Sequence, residues 1–220
     1  MSFGDSKAII TNQPGIHENL ADIVNTHLIH EFKKPISAHT KQAFEEIDRL
    51  VKEFDGPIIL DSCCGVGQSS RIIAKQNPKA LVIGVDKSDN RITRNVEEKW
   101  QVDNFHLVRA DLNDFYRLVY AANWPVDKHY ILYPNPWPKA KHVKRRWHGS
   151  AVFPYIFKIG KVLELRSNWR LYLEEFQAAL AIANIDSVLN EVSTDEEALT
   201  PFEAKYQASG QQCWSLSAKL

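Results

Sequence analysis

The sequence predicts an α/β fold, a doubly wound and mostly parallel sheet preceded by an N-terminal helical extension. Three observations carry the prediction. From residue 58 onward, short apolar runs alternate with segments of helical periodicity, the pattern of strand–helix–strand units. The first apolar run leads into a turn holding two glycines, Gly65 and Gly67. Carboxylates stand at or just past the ends of three successive runs, at Asp61, Asp86 and Asp111. The extension is expected over residues 1–52 and the sheet domain over 53–220.

Each element follows in order. The first fifteen or so residues read as irregular and close on the turn signal Asn12-Gln13-Pro14-Gly15. One helix is expected over 17–31. A second is expected over 38–54, where Ala43, Phe44, Ile47, Leu50, Val51 and Phe54 share a face. After Asp55-Gly56-Pro57, the run Ile58-Ile59-Leu60 is wholly apolar, as in a strand buried on both faces. A helix is expected over 69–76, a strand over 80–86, a helix over 88–100 and a strand over 105–109. A short helix near 113–121 precedes a fourth strand, 129–133. Beyond it, 150–163 reads as a helix, 169–173 as a strand or helix start, 174–183 as a helix and 212–216 as a closing strand.

Composition excludes several classes. Apolar residues make up 44% of the 220 and charged residues 25%, as in ordinary globular chains. No apolar run approaches the roughly 20 residues that span a bilayer, and the N-terminus lacks a secretory pattern. Three cysteines, two of them adjacent (Cys63 and Cys64), make no disulfide framework and no zinc spacing. A cytoplasmic protein without a metal, monomeric or homodimeric, is expected. Formal net charge is zero, so an anionic partner needs a local patch. From Lys139 to Arg146, KAKHVKRR puts five cations and a histidine in eight residues.

Open α/β sheets bind ligands at the carboxyl ends of their strands, where the Asp61–Gly67 turn lies. Asp86 can there accept both hydroxyls of a ribose, and Asp111 can sit beside an adenine. Each acid alone also reads as a turn or helix-capping residue. A dinucleotide-binding dehydrogenase shares this outline. However, Gly65-x-Gly67-x-x-Ser70 lacks the third glycine or alanine of that fingerprint. Asp61 would also repel a pyrophosphate, while it suits a cationic amino group.

Residues 131–146 read ILYPNPWPKAKHVKRR. This block resembles the F-P-D-P-W-P-K-x-R-H-x-K-R-R signature of the TrmB-type tRNA (guanine-N7)-methyltransferases. Pro134, Pro136, Trp137, Pro138, Lys139, His142, Lys144, Arg145 and Arg146 match in register. Ser167-Asn168-Trp169 with Tyr172 is similar to the family's T-D-W-x-x-Y segment, and Thr200-Pro201-Phe202-Glu203 to its T-x-F-E segment. The resemblance implies a Rossmann-like class I methyltransferase that uses S-adenosylmethionine and acts on tRNA. By position it implies that Asp61, Gly65, Gly67, Asp86, Asp111 and Asn135 meet the cofactor, and that Asn135 also meets the reacting base. Lys139, Asn168, Thr200, Pro201, Phe202 and Glu203 would face the substrate. Lys141, His142, Lys144, Arg145 and Arg146 would grip RNA phosphates.

The chain departs from the family at three places. Asn135 and Asn168 replace aspartates, and Cys63 replaces the first glycine of the acid-x-Gly-x-Gly-x-Gly turn. Two other readings therefore stand beside the first. One is a methyltransferase with another acceptor, since Asn135-Pro136-Trp137 partly matches the N-P-P-W motif of exocyclic-amine methyltransferases. The other is a non-catalytic binding homologue.

Overall fold

The computed structural model describes residues 6–93 and 102–220. Seven strands form one sheet in the order β3-β2-β1-β4-β5-β7-β6. They are β1 Ile58–Ser62, β2 Leu81–Asp86, β3 Phe105–Arg109, β4 Val126–Leu132, β5 Val162–Ser167, β6 Ser187–Glu191 and β7 Trp214–Lys219. β1 to β5 run parallel, and β7 lies antiparallel between β5 and β6. The order reverses between β1 and β4, which opens a crevice at their carboxyl ends.

β1 and β2 are buried along their whole length, as their unbroken apolar runs require. Gly84 in β2 allows close packing there. A Cβ at this position would stand 2.3 Å from Ser70 Oγ and 2.7 Å from Leu107 Cδ2.

Helices α1 Leu20–Ile29 and α2 Ala38–Glu53 make up the extension. Both are packed onto the sheet domain: Leu20, Val24, Phe44, Ile47 and Val51 belong to the same core as Ile58, Leu60 and Phe115. Phe44 stacks on Trp124 at 5.2 Å and meets Phe115 edge-on at 5.5 Å. Ser37 caps α2, and Thr40 in its first turn accepts the Asp111 N–H at 3.1 Å. The extension thus steadies a turn at the strand tips.

Four further helices follow the early strands: α3 Gln68–Gln76, α4 Asp89–Ile92, α5 Leu112–Ala121 and α6 Phe153–Ile156. Of the helix expected over 88–100, α4 is described, and residues 94–100 lie outside the described residues. The expected helix at 150–163 is a correction: α6 occupies four residues, and the chain then enters β5. β5 alternates buried Leu163, Leu165 and Ser167 with half-buried Val162, Glu164 and Arg166. The segment at 169–173 resolves as a helix start, since α7 spans Arg170–Ile182. β6 and the helix α8 Pro201–Ala208 were not expected. Among the described residues no helix is long and apolar enough to cross a membrane, and no group of three or more His, Cys, Asp or Glu could hold a metal ion.

Candidate active site

A cavity of about 800 Å³ opens at the carboxyl ends of β1, β2 and β4. One wall comes from the first three strand tips and the other from the block after β4 together with α8.

On the first wall, the turn after β1 needs left-handed backbone at alternate positions: Cys63 at φ 65°, Gly65 at 60° and Gly67 at 75°. Glycine adopts this freely, whereas a cysteine pays a steric cost on the order of 1–3 kcal/mol. Cys63 therefore keeps the backbone shape of the glycine turn and puts a side chain on the cavity wall. Burial pushes its thiol up to about 12, so it stays protonated.

Asp61 is fully buried, one layer beneath the wall. Its Oδ2 accepts from Ser69 Oγ at 2.6 Å and Ser70 Oγ at 2.7 Å, while Oδ1 has no partner. Burial pushes this carboxyl up to about 6, against the two serine hydrogen bonds. The expectation that Asp61 meets the cofactor is corrected: its free oxygen is sealed beneath the wall, and it is Ser69, the hydroxyl it holds, that lines the cavity.

Asp86 accepts from Gly65 N–H at 3.1 Å and Ser88 N–H at 2.8 Å, with Arg91 Nη1 at 3.5 Å. Each of its oxygens keeps capacity for a ribose hydroxyl. Asp111 caps α5 through the Asn113 N–H and pairs with Lys87 Nζ at 3.0 Å. It also lines the cavity while it caps α5. Gly65 lies on the wall; Gly67 lies behind it, at the start of α3. The wall residues fit S-adenosylmethionine: an acid for its ribose, Asp86, and an acid beside its adenine, Asp111.

The second wall is more strained. Tyr133 and Trp137, either side of Pro134-Asn135-Pro136, both have positive φ, at 49° and 45°. The Tyr133 N–H donates to Arg166 O at 2.8 Å, which continues the sheet pairing past β4. Asn135 is exposed at the cavity mouth and accepts the Trp137 N–H through Oδ1 at 3.4 Å.

Arg146 holds this strained loop from below. It donates to Trp137 O at 3.2 and 3.0 Å and to Lys139 O at 3.3 Å. Its guanidinium also pairs with Glu175 of α7 and takes Gln13 Oε1 as acceptor at 3.0 Å. Arg146 and Glu175 are both fully buried. Burial raises the Glu175 carboxyl, but the His148 hydrogen bond and the Arg146 charge outweigh it and hold the group at about 2. The expectation that Arg146 grips phosphate is thereby corrected. It is an internal brace, and its charge is spent on Glu175.

The other cations of the block remain outside. Ala140–Arg145 forms a 3-10 helix with Lys141, Lys144 and Arg145 exposed and His142 half-buried. Arg145 lies over the Trp137 ring at 4.7 Å. Lys139 is exposed next to this run and is not on the cavity wall.

Asn168, Thr200, Pro201 and Phe202 do line the cavity. Glu203 does not: it is buried, paired with Arg166 at 2.9 Å, with its N–H capped by Thr200 Oγ1. That expectation is also corrected, since Glu203 anchors α8 rather than meeting substrate. Sequence reasoning missed Trp147, Tyr133 and Tyr206, which add aromatic surface to the cavity. Tyr206 stacks beside Phe202 at 6.4 Å. A tryptophan directly after the basic run was the available signal for Trp147.

Comparison with known proteins agrees with this geometry. Residues 55–216 match the family model Methyltransf_4, described as "Putative methyltransferase". The tRNA (guanine-N(7)-)-methyltransferase of Alkaliphilus oremlandii is 26% identical over 203 residues, covering 88% of this chain and 94% of that protein. The enzyme of the same name from Macrococcus caseolyticus is 25% identical, covering 79% and 87%. Among solved structures, the 16S rRNA methyltransferase KamB superposes with a TM-score of 0.58 at 14% identity, covering 85% of this chain and 95% of that one. With the matched model spanning most of the sequence, the chain belongs to the Methyltransf_4 family, as a TrmB-type methyltransferase that uses S-adenosylmethionine.

Proposed function

We propose that this protein methylates N7 of a guanine in tRNA, in the cytoplasm. One observation carries the reading. A single cavity brings the strand-tip acids Asp86 and Asp111 opposite Asn135, Asn168 and Phe202, and the exposed cations of 140–145 follow directly from its rim. Curated relatives named for this reaction align over most of the chain and support it.

S-adenosylmethionine supplies a methyl group on a sulfonium sulfur, which leaves as a neutral thioether. Guanine N7 has a lone pair and no proton, so no strong base is needed. The lone pair forms the new C–N bond as the C–S pair returns to sulfur, and positive charge spreads over the purine. The protein's work is alignment and exclusion of water, which can supply several kcal/mol. Trp147, Tyr133, Phe202 and Tyr206 give the flat apolar surfaces a base needs. The carbonyls of Asn135 and Asn168 can accept N–H groups of the purine as its ring becomes cationic. Lys139, Lys141, His142, Lys144 and Arg145 would position the RNA through phosphates.

Incubation with S-adenosylmethionine carrying a tritiated methyl tests the class of acceptor against pools of RNA, DNA, protein and metabolites. Label is expected in tRNA. Label in another pool would support an exocyclic-amine or other acceptor. Tight cofactor binding with no transfer would support a binding homologue.

A further inference from the structure

We infer that Gln211 is a positioning residue that fixes which end of the Asn168 amide faces the acceptor base. The inference rests on the proposed guanine site. Asn168 donates through Nδ2 to Gln211 Oε1 at 2.9 Å. Gln211 in turn donates through Nε2 to the Ser6 carbonyl at 2.6 Å. The direction of this chain is set at its far end. A backbone carbonyl only accepts, so Gln211 must turn its NH2 towards Ser6 and its oxygen towards Asn168. Asn168 must then spend a proton on Gln211. Its Oδ1, which takes no hydrogen bond among the described residues, is left to the cavity that Asn168 lines.

The far end is itself held. Ser6 N–H donates to Ser209 Oγ at 3.0 Å, and the Gln211 N–H donates to Tyr206 O at 2.9 Å. The relay makes a neutral asparagine behave as the family aspartate does in one respect, by offering an acceptor. Guanine presents N1–H and N2–H donors along one edge, while adenine presents an acceptor at N1. An acceptor locked at Asn168 therefore favours guanine, and a reversed amide would disfavour it.

Two substitutions separate this role from a structural one. Q211E keeps an acceptor for Asn168 and loses the donor for Ser6. Q211K keeps a donor for Ser6 and forces Asn168 to turn its NH2 into the cavity. Guanosine monophosphate binding is measured by calorimetry with S-adenosylhomocysteine present, and transfer to tRNA is measured in parallel. Q211E is expected to bind within about threefold of wild type, and Q211K about tenfold more weakly, the scale of one lost hydrogen bond. The opposite order, equal losses, or no binding by the wild type overturns the relay. Absence of tRNA transfer by the wild type, with the binding order intact, overturns the proposed function and leaves the relay standing.

Discussion

On the cofactor side the carboxylates are held by groups at most 24 positions away, Asp61 by Ser69 and Ser70, Asp86 by Gly65 and Ser88, and Asp111 by Lys87 and Asn113, with one longer tie from the Asp111 N–H to Thr40. The acceptor wall is held from far away. Arg146 meets Gln13 across 133 positions, and Gln211 meets Ser6 across 205. Thr11 donates to Pro138 O at 2.6 Å, and Asn12 Oδ1 accepts the Ala140 N–H at 3.0 Å. The N-terminal segment thus ties both flanks of the acceptor side. The contrast teaches that cofactor binding is a local property of strand tips, whereas acceptor geometry depends on the whole fold. Departures from the family pattern fall on both sides: the three strand-tip acids are kept and both acceptor-side aspartates are amides, but Cys63 replaces a glycine of the cofactor turn.

The largest effect should come from breaking the acceptor wall alone. R146A takes its one arginine partner from buried Glu175, which keeps hydrogen bonds from Gln13, His17 and His148, at a cost of about 3–5 kcal/mol. Denaturant unfolding should show that loss. In E175Q, the milder companion, tRNA transfer should fall while cofactor affinity stays near wild type. Equal losses of both activities would dissolve the distinction between the walls.

Asp61 gives the next largest effect, on the opposite wall. D61N removes the charge that holds Ser69 of the cavity wall and should weaken S-adenosylmethionine binding by about 1.5–3 kcal/mol, the worth of a charged hydrogen bond, as read by calorimetry. A folded value of about 6, above the ordinary carboxyl value of 3.8, also fixes the signs with pH. Cofactor affinity should fall as pH drops through 6. The ligand-free fold should lose stability from this group as pH rises from 3.8 through 6, and D61N should remove that slope. A flat affinity between pH 5 and 7 would show that the charge on Asp61 does not shape the cavity wall.

Smaller effects follow at the rim and in the turn. K144A with R145A removes two exposed cations, so the salt dependence of tRNA binding should flatten by about 1–2 in log–log slope. Cofactor affinity should not move. C63G relieves a left-handed cysteine and should stabilise the protein by about 1 kcal/mol, net of the freedom glycine adds to the unfolded chain. Destabilisation instead would mean that the Cys63 side chain packs usefully against the wall.

The same contrast explains what was legible in the sequence. α2 and β1 to β4 were readable because their burial follows local periodicity. β5 was hidden because Glu164 and Arg166 interrupt its apolar pattern, and the ion pairs that neutralise them come from Lys128 on β4 and Glu203 on α8. The strand-tip acids were readable from position, but the depth of Asp61 was not. Arg146 looked like its four neighbouring cations. Its buried partners, Glu175 29 residues away on α7 and Gln13 133 positions away, distinguish it. The roles of Gln13 and Gln211 had no local signal, because their partners lie at the other end of the chain.

The chemistry of the product decides whether the protein methylates guanine N7 in tRNA. Purified protein, S-adenosylmethionine and unmodified tRNA are incubated, the RNA is digested to nucleosides, and the digest is analysed by mass spectrometry against synthetic standards. The methylated nucleoside is expected to be 7-methylguanosine, and it should be absent with D86A. A methyl group on any other nucleoside, or none on tRNA while the protein binds S-adenosylmethionine, would contradict that reaction.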